Sequence, residues 1–410
     1  MSIKTLSFGC RLNALESEKI QNMLATVVDT AIVVNTCAVT GEAERQSGQF
    51  VRRTARENPN TPIFVTGCAA TRNLALFCDI PNVIVIDNFQ KRNINAYTDA
   101  MERTPCNIVG HARIDNFRDT DEKLSKKFIQ IQNGCNHDCT YCVTRLLRGS
   151  AVSFEYDEIL ADVRTAVNNG FGEIVLTGVD IASYARLDDG KAFMISDLCK
   201  KLLADVPGIQ RLRLSSMDPA VPEVGKIIEL IKSDKRMMPH MHFSMQSGSD
   251  TILGAMRRRH TADIVRKWVQ MAGDDITFSW DIICGFPGES EELFNETLNL
   301  VHELKPIKIH AFPYSPRPDT VAATMPNQVN RTISKQRVKT INDAANTNRA
   351  KFMQKQLRQH VQVLVEENNI ARCPHDISVK IDSAHIPPRT ICDLILTDVV
   401  GDTFIGTLNT

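Results

Sequence analysis

The sequence carries no surplus charge: its 410 residues hold 48 Lys and Arg against 48 Asp and Glu. A neutral chain sets up no global field toward nucleic acid, so any RNA contact must come from local patches. No apolar run approaches the roughly 18 residues of a membrane span. Met1-Ser-Ile-Lys-Thr opens no signal-peptide core either. The expected location is cytoplasmic, with no membrane partner. Internal repeats and low-complexity tracts are also missing. What is left is an ordinary globular composition, 43% hydrophobic and 23% charged, long enough for two or three domains with cores of their own.

Against this background the 12 cysteines stand out. In a reducing compartment they read as metal ligands or buried small hydrophobes rather than disulfides. Cys135, Cys139 and Cys142 form a C-x₃-C-x₂-C triplet directly after the strand-like Lys127-Phe-Ile-Gln-Ile. Three thiolates so spaced can hold three corners of a cubane iron–sulfur cluster, and no fourth cysteine follows at short range. The fourth iron is then open to a ligand, as catalytic metal sites keep one position free. The competing reading is zinc with His137 as fourth ligand, but His137 lies between two of the cysteines, a poor arrangement for closing a tetrahedron.

A second set is less obvious. Cys10, Cys37 and Cys68 each end a strand-like run, in Ser-Phe-Gly-Cys, Val-Asn-Thr-Cys and Val-Thr-Gly-Cys. In a parallel sheet those ends share one edge, where α/β folds bind ligands. Gly9 and Gly67 let the backbone approach a bulky inorganic group closely. Buried core cysteines would read the same way one at a time; three at matching strand ends favour a metal site. Cys78, Cys106, Cys199, Cys284, Cys373 and Cys392 share no spacing and read as core or surface thiols.

The rhythm of the chain divides it. Residues 1–115 alternate β-type runs (Thr5–Phe8, Ala31–Val34, Pro62–Val65, Val83–Ile86) with helical stretches at Ala14–Thr26 and Ala43–Glu57, which predicts a doubly wound parallel α/β domain. A polar linker is expected over 116–126. Residues 127–335 carry six more strand-like runs separated by helical segments such as Tyr156–Asn169 and Glu289–Leu304, enough for an open partial (β/α)₆ barrel with reactive groups at the strands' carboxyl ends. A basic helical connection spans 336–355, within a run from Arg331 to Arg358 holding eight Lys or Arg and one acid, Asp343. From 356 to 410, short alternating runs predict a small antiparallel β-barrel.

Several motifs in this order resemble the methylthiotransferase family of radical S-adenosylmethionine (SAM) enzymes. They are Phe8-Gly-Cys-Arg-Leu-Asn-Ala-Leu-Glu-Ser, Val34-Asn-Thr-Cys-Ala-Val-Thr, Gly134-Cys-Asn-His-Asp-Cys-Thr-Tyr-Cys, Arg213-Leu-Ser-Ser-Met-Asp-Pro, His242-Phe-Ser-Met-Gln-Ser-Gly-Ser and Asp281-Ile-Ile-Cys-Gly-Phe-Pro-Gly-Glu. The likeness spans nearly the whole chain, and its tail is similar to the RNA-binding TRAM domain. One departure is Val143-Thr-Arg-Leu-Leu-Arg-Gly, where members usually carry a proline before Arg-Gly; this touches loop shape, not the cysteines. The first two motifs are most similar to the branch acting on N6-threonylcarbamoyladenosine in tRNA. The branch acting on N6-isopentenyladenosine stays open as an alternative. So does, from another class, a non-catalytic iron–sulfur or zinc RNA-binding protein.

The resemblance implies two 4Fe-4S clusters, one on Cys135, Cys139 and Cys142 and one on Cys10, Cys37 and Cys68. It implies SAM on strand-end residues: Thr177 and Gly178 near the amino group, Ser216 and Gln246 near ribose and methionine, and Gly285 near adenine. Sulfur insertion at adenine carbon 2 followed by methyl transfer is the implied reaction. The implied partners are the tRNA anticodon loop and an electron donor such as flavodoxin or ferredoxin. Arg257, Arg258, Lys335, Arg337 and Lys351 are the expected phosphate contacts. On this reading, deleting 356–410 would weaken tRNA binding and spare SAM cleavage.

Overall fold

The computed structural model describes residues 2–38, 41–103, 125–188, 190–381 and 386–408. Most of the expected linker at 116–126 therefore lies outside the described residues. The chain forms two compact units: residues 1–123 with 134–137 and 142–150, and residues 124–133 with 138–141 and 151–410.

In the first unit, β1 (Ser2–Ser7), β2 (Thr30–Thr36), β3 (Ile63–Gly67) and β4 (Val83–Val85) pair in parallel in that order. Ile32, Val34, Ile63 and Val65 pack one face against Val51 and Ala55. Ala31, Val33 and Phe64 pack the other against Ile20, Leu24 and Tyr97. Burial on both faces explains why β2 reads as a continuous apolar run instead of an alternating one. The helices are α1 (Arg11–Leu24), α2 (Gly41–Glu57), α3 (Cys68–Arg72), α4 (Ile94–Arg103) and the short α5 (Thr144–Arg148). Asn58 closes α2 by donating from Nδ2 to Thr54 O at 2.9 Å, and Pro59 prevents continuation.

The second unit starts with β5 (Lys126–Gln130), then a small ladder of β6 (Gln132–Asn133) and β7 (Val152–Ser153). After α6 (Tyr156–Asn168) come β8 (Glu173–Thr177), the hairpin β9 (Ala185–Asp188) and β10 (Lys191–Met194), α7 (Ile195–Asp205), β11 (Arg211–Leu214) and β12 (Ser216–Met217). The chain continues through α8 (Glu223–Ser233), β13 (His240–Gln246), α9 (Asp250–Ala255), α10 (Ala262–Ala272), β14 (Thr277–Cys284), α11 (Glu291–Leu304), β15 (Lys308–Pro313) and α12 (Arg331–Gln356). Parallel strands run β5-β8-β11 and β12-β13-β14-β15, with one residue between β11 and β12. This is the six-unit open barrel expected from the sequence. The start of α11 differs by two residues because Ser290 takes the capping place, its Oγ accepting from Leu293 N–H at 3.3 Å.

A closed five-stranded barrel ends the chain: β16 (His360–Val365), β17 (Ile370–Arg372), β18 (Ser378–Ile381), β20 (Thr403–Leu408) and β19 (Ile391–Val400), in spatial order. It docks on the amino ends of the larger barrel's strands. There Lys126 bonds Asp376 at 3.2 Å, Arg211 donates to Arg372 O at 3.0 Å and Arg213 to Pro374 O at 3.1 Å.

Candidate functional site

Three of the four parallel strands of the first unit lead into a cysteine. Cys10 stands at the N-cap of α1 and is exposed, Cys37 follows β2 and is buried, and Cys68 opens α3 and is buried. Gly9, at φ +86°, passes so close to Cys37 that a Cβ there would lie 2.3 Å from Sγ. Gly67, at φ +96°, would place a Cβ 2.3 Å from Thr36 O. Both positions demand glycine. Asn13 ties two of the cysteine loops together, donating from Nδ2 to Phe8 O at 2.9 Å and to Thr36 O at 3.0 Å. Asn88 Nδ2 donates to Cys68 Sγ at 3.6 Å.

Behind these cysteines lies a buried charged network. Glu16 accepts from Lys91 at 2.6 Å and from Arg148 at 2.9 Å, while Arg148 also donates to Asn13 Oδ1 at 2.6 Å. Burial opposes the charge on Glu16, but Lys91 and Arg148 outweigh it and hold the carboxyl below its usual range. Burial likewise opposes the charge on Arg148. Glu16, with the Cys68 and Cys10 thiols, more than offsets it and raises the guanidinium's pKa. A fixed cation beside Cys68 and Cys10 suits an anionic thiolate-bound group. The donor set therefore fits a cluster.

The triplet's sulfurs each accept an N–H. His137 N donates to Cys135 Sγ at 3.4 Å, Thr144 N to Cys142 Sγ at 3.4 Å, and Arg258 Nη1 to Cys139 Sγ at 3.5 Å. Such bonds are what ligated thiolates attract, so this set also fits a cluster. Gly134, at φ +69°, permits the turn into Cys135; a Cβ there would meet Ser150 O at 2.0 Å. Cys135 N–H then donates to Gly149 O at 3.1 Å. Around Cys139, Thr140 bonds Met256 O at 3.2 Å and Ala255 O at 2.9 Å. Tyr141 packs edge-on against Phe286 at 6.5 Å.

The residues expected near SAM fall at strand carboxyl ends or just beyond. Thr177 ends β8 and its carbonyl accepts from Ile131 N–H at 2.9 Å. Gly178 lies close to Gln132, where a Cβ would be 2.8 Å from Gln132 O. Ser216 opens β12, and Gln246 ends β13 with φ +68°, a left-handed conformation uncommon outside glycine. Gly285 follows β14 at φ +77°; its N–H donates to the Glu289 carboxylate at 2.6 Å, and Ser334 Oγ would be 1.9 Å from a Cβ. Thr177, Gly178, Gln246 and Gly285 thus lie at or just past strand carboxyl ends, away from the docked C-terminal barrel, and Ser216 comes two residues after β11 ends.

The expected RNA contacts divide. Arg257, Lys335 and Lys351 are exposed, although Arg257 pairs with Asp138. Arg258 and Arg337 turn inward. Arg258 has a 7% exposed side chain and pairs with Asp218 at 3.3 Å. Arg337, equally buried, clamps Glu289 at 2.8 Å and thereby the turn at Gly285. Each answers a buried carboxylate, so neither guanidinium offers a phosphate-binding surface. Sequence reasoning missed the Glu16–Lys91–Arg148 network and the place of Asp218. Asn13 and Glu16 do lie in a quoted motif, but their partners are distant in sequence.

Residues 129–301 match the Radical SAM superfamily, and residues 2–86 match the Uncharacterized protein family UPF0004. The threonylcarbamoyladenosine tRNA methylthiotransferase MtaB of Rickettsia prowazekii is 38% identical over 393 residues, 92% of this chain and 90% of that protein. Its Bacillus subtilis counterpart is 34% identical over 81% of this chain and 77% of its own. A tRNA-2-methylthio-N(6)-dimethylallyladenosine synthase from Tropheryma whipplei is 32% identical over 89% and 82%. Among solved structures, the radical SAM methyltransferase TsrM from Kitasatospora setae superposes with a TM-score of 0.57 at 13% identity, covering 76% of this chain and 68% of that one. At that identity the likeness is one of fold. Radical SAM enzymes use a 4Fe-4S cluster and SAM, which removes the zinc reading with His137. By its relatives, its two matched domains and its paired cysteine sets, the chain belongs to the MtaB-type methylthiotransferases of the radical SAM superfamily.

Proposed function

We propose that this protein converts N6-threonylcarbamoyladenosine, on the 3′ side of the anticodon in tRNA, to its 2-methylthio derivative. The observation that carries the reading is the pairing of two thiolate sets, one at parallel strand ends against Gly9 and Gly67, the other with an N–H donated to every sulfur. Cys135, Cys139 and Cys142 would hold one 4Fe-4S cluster, and Cys10, Cys37 and Cys68 the other. When bound, the first would supply the electron that cleaves one SAM for hydrogen abstraction at adenine carbon 2, the second would hold or deliver the sulfur that replaces that hydrogen, and a second SAM would supply the methyl.

The chain's own residues orient and exclude. Thr177, Gly178, Ser216, Gln246 and Gly285 present strand-end backbone and small polar groups to SAM. The Glu289–Arg337 clamp fixes the turn at Gly285. Exposed Lys335 and Lys351 on α12, with Arg257, meet tRNA phosphates, and a one-electron donor such as flavodoxin or ferredoxin completes the reaction in the cytoplasm. The target adenine has to leave its stack, which is cheapest in a single-stranded loop.

Relatives that act on dimethylallyladenosine, at 32% identity, keep that base as a second reading. A threonylcarbamoyl group brings a carboxylate that an apolar slot would leave unpaired at prohibitive cost. Mass spectrometry of tRNA nucleosides from cells lacking this protein decides between them. Loss of 2-methylthio-threonylcarbamoyladenosine is expected; loss of the isopentenyl product instead would move the assignment to the sister branch, and no change in either would overturn both.

A further inference from the structure

We propose that Arg258 is a positioning residue for the triplet cluster: its guanidinium, braced by Asp218, donates to the Cys139 ligand and raises that cluster's reduction potential. The proposal rests on the cofactor reading above. Arg258 leaves α9 through a left-handed turn, with Arg257 at φ +56° and Arg258 N–H returning to Leu253 O at 2.8 Å. That geometry ends the helix and swings the next side chain inward. Nη1 then reaches Cys139 Sγ at 3.5 Å, while Nη2 bonds Ser244 O at 3.0 Å and approaches Asp218 Oδ2 at 3.3 Å.

Neither partner can drift. The residue after Cys139, Thr140, is bonded to Ala255 O and Met256 O of the same turn, and its own carbonyl accepts from Ala322 N–H at 2.9 Å. The side chains of Arg258 and Asp218 are 7% and 4% exposed, so solvent and salt screen little of the cation's effect. One-electron reduction adds negative charge that the cluster shares with its thiolates. A buried cation donating to one thiolate stabilises the reduced state more than the oxidised one, which raises the potential; hydrogen bonds to the ligating sulfurs and net charge are established levers on it. Asp218 moderates the effect by partly neutralising the guanidinium. Removing either charge should therefore move the potential in opposite directions, a response that a purely structural ion pair would not give.

The test is a redox titration of the anaerobically reconstituted full-length protein followed by electron paramagnetic resonance. The cluster whose signal changes on adding SAM is the one with the free iron. Arg258→Gln is expected to shift its equilibrium about tenfold toward the oxidised form at a given potential, equivalent to about 59 mV for one electron. Asp218→Asn should shift it the other way, and Arg258→Lys should fall between wild type and Arg258→Gln. The SAM-insensitive cluster should not move. If Arg258→Gln loses iron, Asp218→Asn and Arg258→Lys decide the matter. Oxidised-to-reduced ratios within twofold of wild type at a given potential in the iron-retaining variants, or shifts of the same sign for both charges, would overturn the proposal. Absence of a SAM-sensitive cluster in the unmodified protein would instead overturn the cofactor reading.

Discussion

Gly9 shows how much one atom matters at the first cysteine set. An added Cβ would lie 2.3 Å from Cys37 Sγ in a backbone at φ +86°, so Gly9→Ala cannot be absorbed without moving a cysteine. The expected result is a fall in iron from about eight per chain to about four, with the SAM-sensitive cluster kept. Unchanged iron would refute the close approach. Glu16 acts differently, through charge. Replacing it by Ala leaves Lys91 and Arg148 buried without their shared carboxylate, a change that typically costs about 3–5 kcal/mol. Chemical denaturation of Glu16→Ala should show a loss of that size, and Lys91→Met in the same background should recover part of it. At this scale the cysteines and the two glycines were legible because their motifs are local and each glycine directly precedes a cysteine. The Glu16 partners were not, since Lys91 is 75 residues away and Arg148 is 132.

Helix α12 carries the same lesson at the scale of an element. Its basic composition was plain in the sequence, but composition does not say which side faces inward. Ser334, Arg337, Ile341, Ala344, Ala345, Asn348 and Met353 form its buried stripe at steps of one to five, mostly three and four. Arg331, Lys335 and Lys339, four residues apart, line an exposed side. Charge alone groups Arg337 with Lys335, whereas burial separates them. Lys335→Glu with Lys339→Glu should weaken tRNA binding and flatten its salt dependence, because fewer counterions are released, while the melting temperature stays near wild type. Arg337→Ala should do the reverse, lowering the melting temperature by unclamping Glu289. Filter binding across a salt series, paired with thermal melts, separates the two. Equal affinity for the double-Glu variant would remove α12 from the RNA face. Strands were easier to read than this helix, since β-branched runs such as Ala31–Val34 are buried on both sides and need no facing decision.

Across the whole chain, the C-terminal barrel is more firmly joined to the larger barrel than an appended RNA-binding tail would be. Lys126, Arg211 and Thr277, each opening a strand, together with Arg213 meet Arg372, Pro374, His375 and Asp376 at a largely buried polar interface, with His240 beside His375 and Asp376. Removing residues 356–410 would leave Lys126, Arg211 and Arg213 facing Glu173 alone. The deletion should therefore cost SAM cleavage and solubility as well as tRNA binding, contrary to the expectation from sequence, where these pairings, 161 residues apart for Arg211 and Arg372, leave no local mark. Intact SAM cleavage after truncation would show the interface to be dispensable. The same interface predicts a response to acid. Burial pushes His375 down to about 4 and His240 well below its ordinary 6.5. An unfolded chain takes up protons on both imidazoles as pH falls below 6.5, and the folded chain does not, so stability drops across that window. Glu173, opposed by burial but held down to about 2 by Arg213, Arg211 and Lys126, acts with the same sign only below about 4.5. Between pH 6.5 and 5 the histidines dominate, each contributing up to about 1.4 kcal/mol per pH unit. Urea denaturation at stepped pH should thus show stability falling through this range, and His375→Gln should remove about one proton from the slope. A slope unchanged by that substitution would mean that His375 already titrates freely in the folded protein.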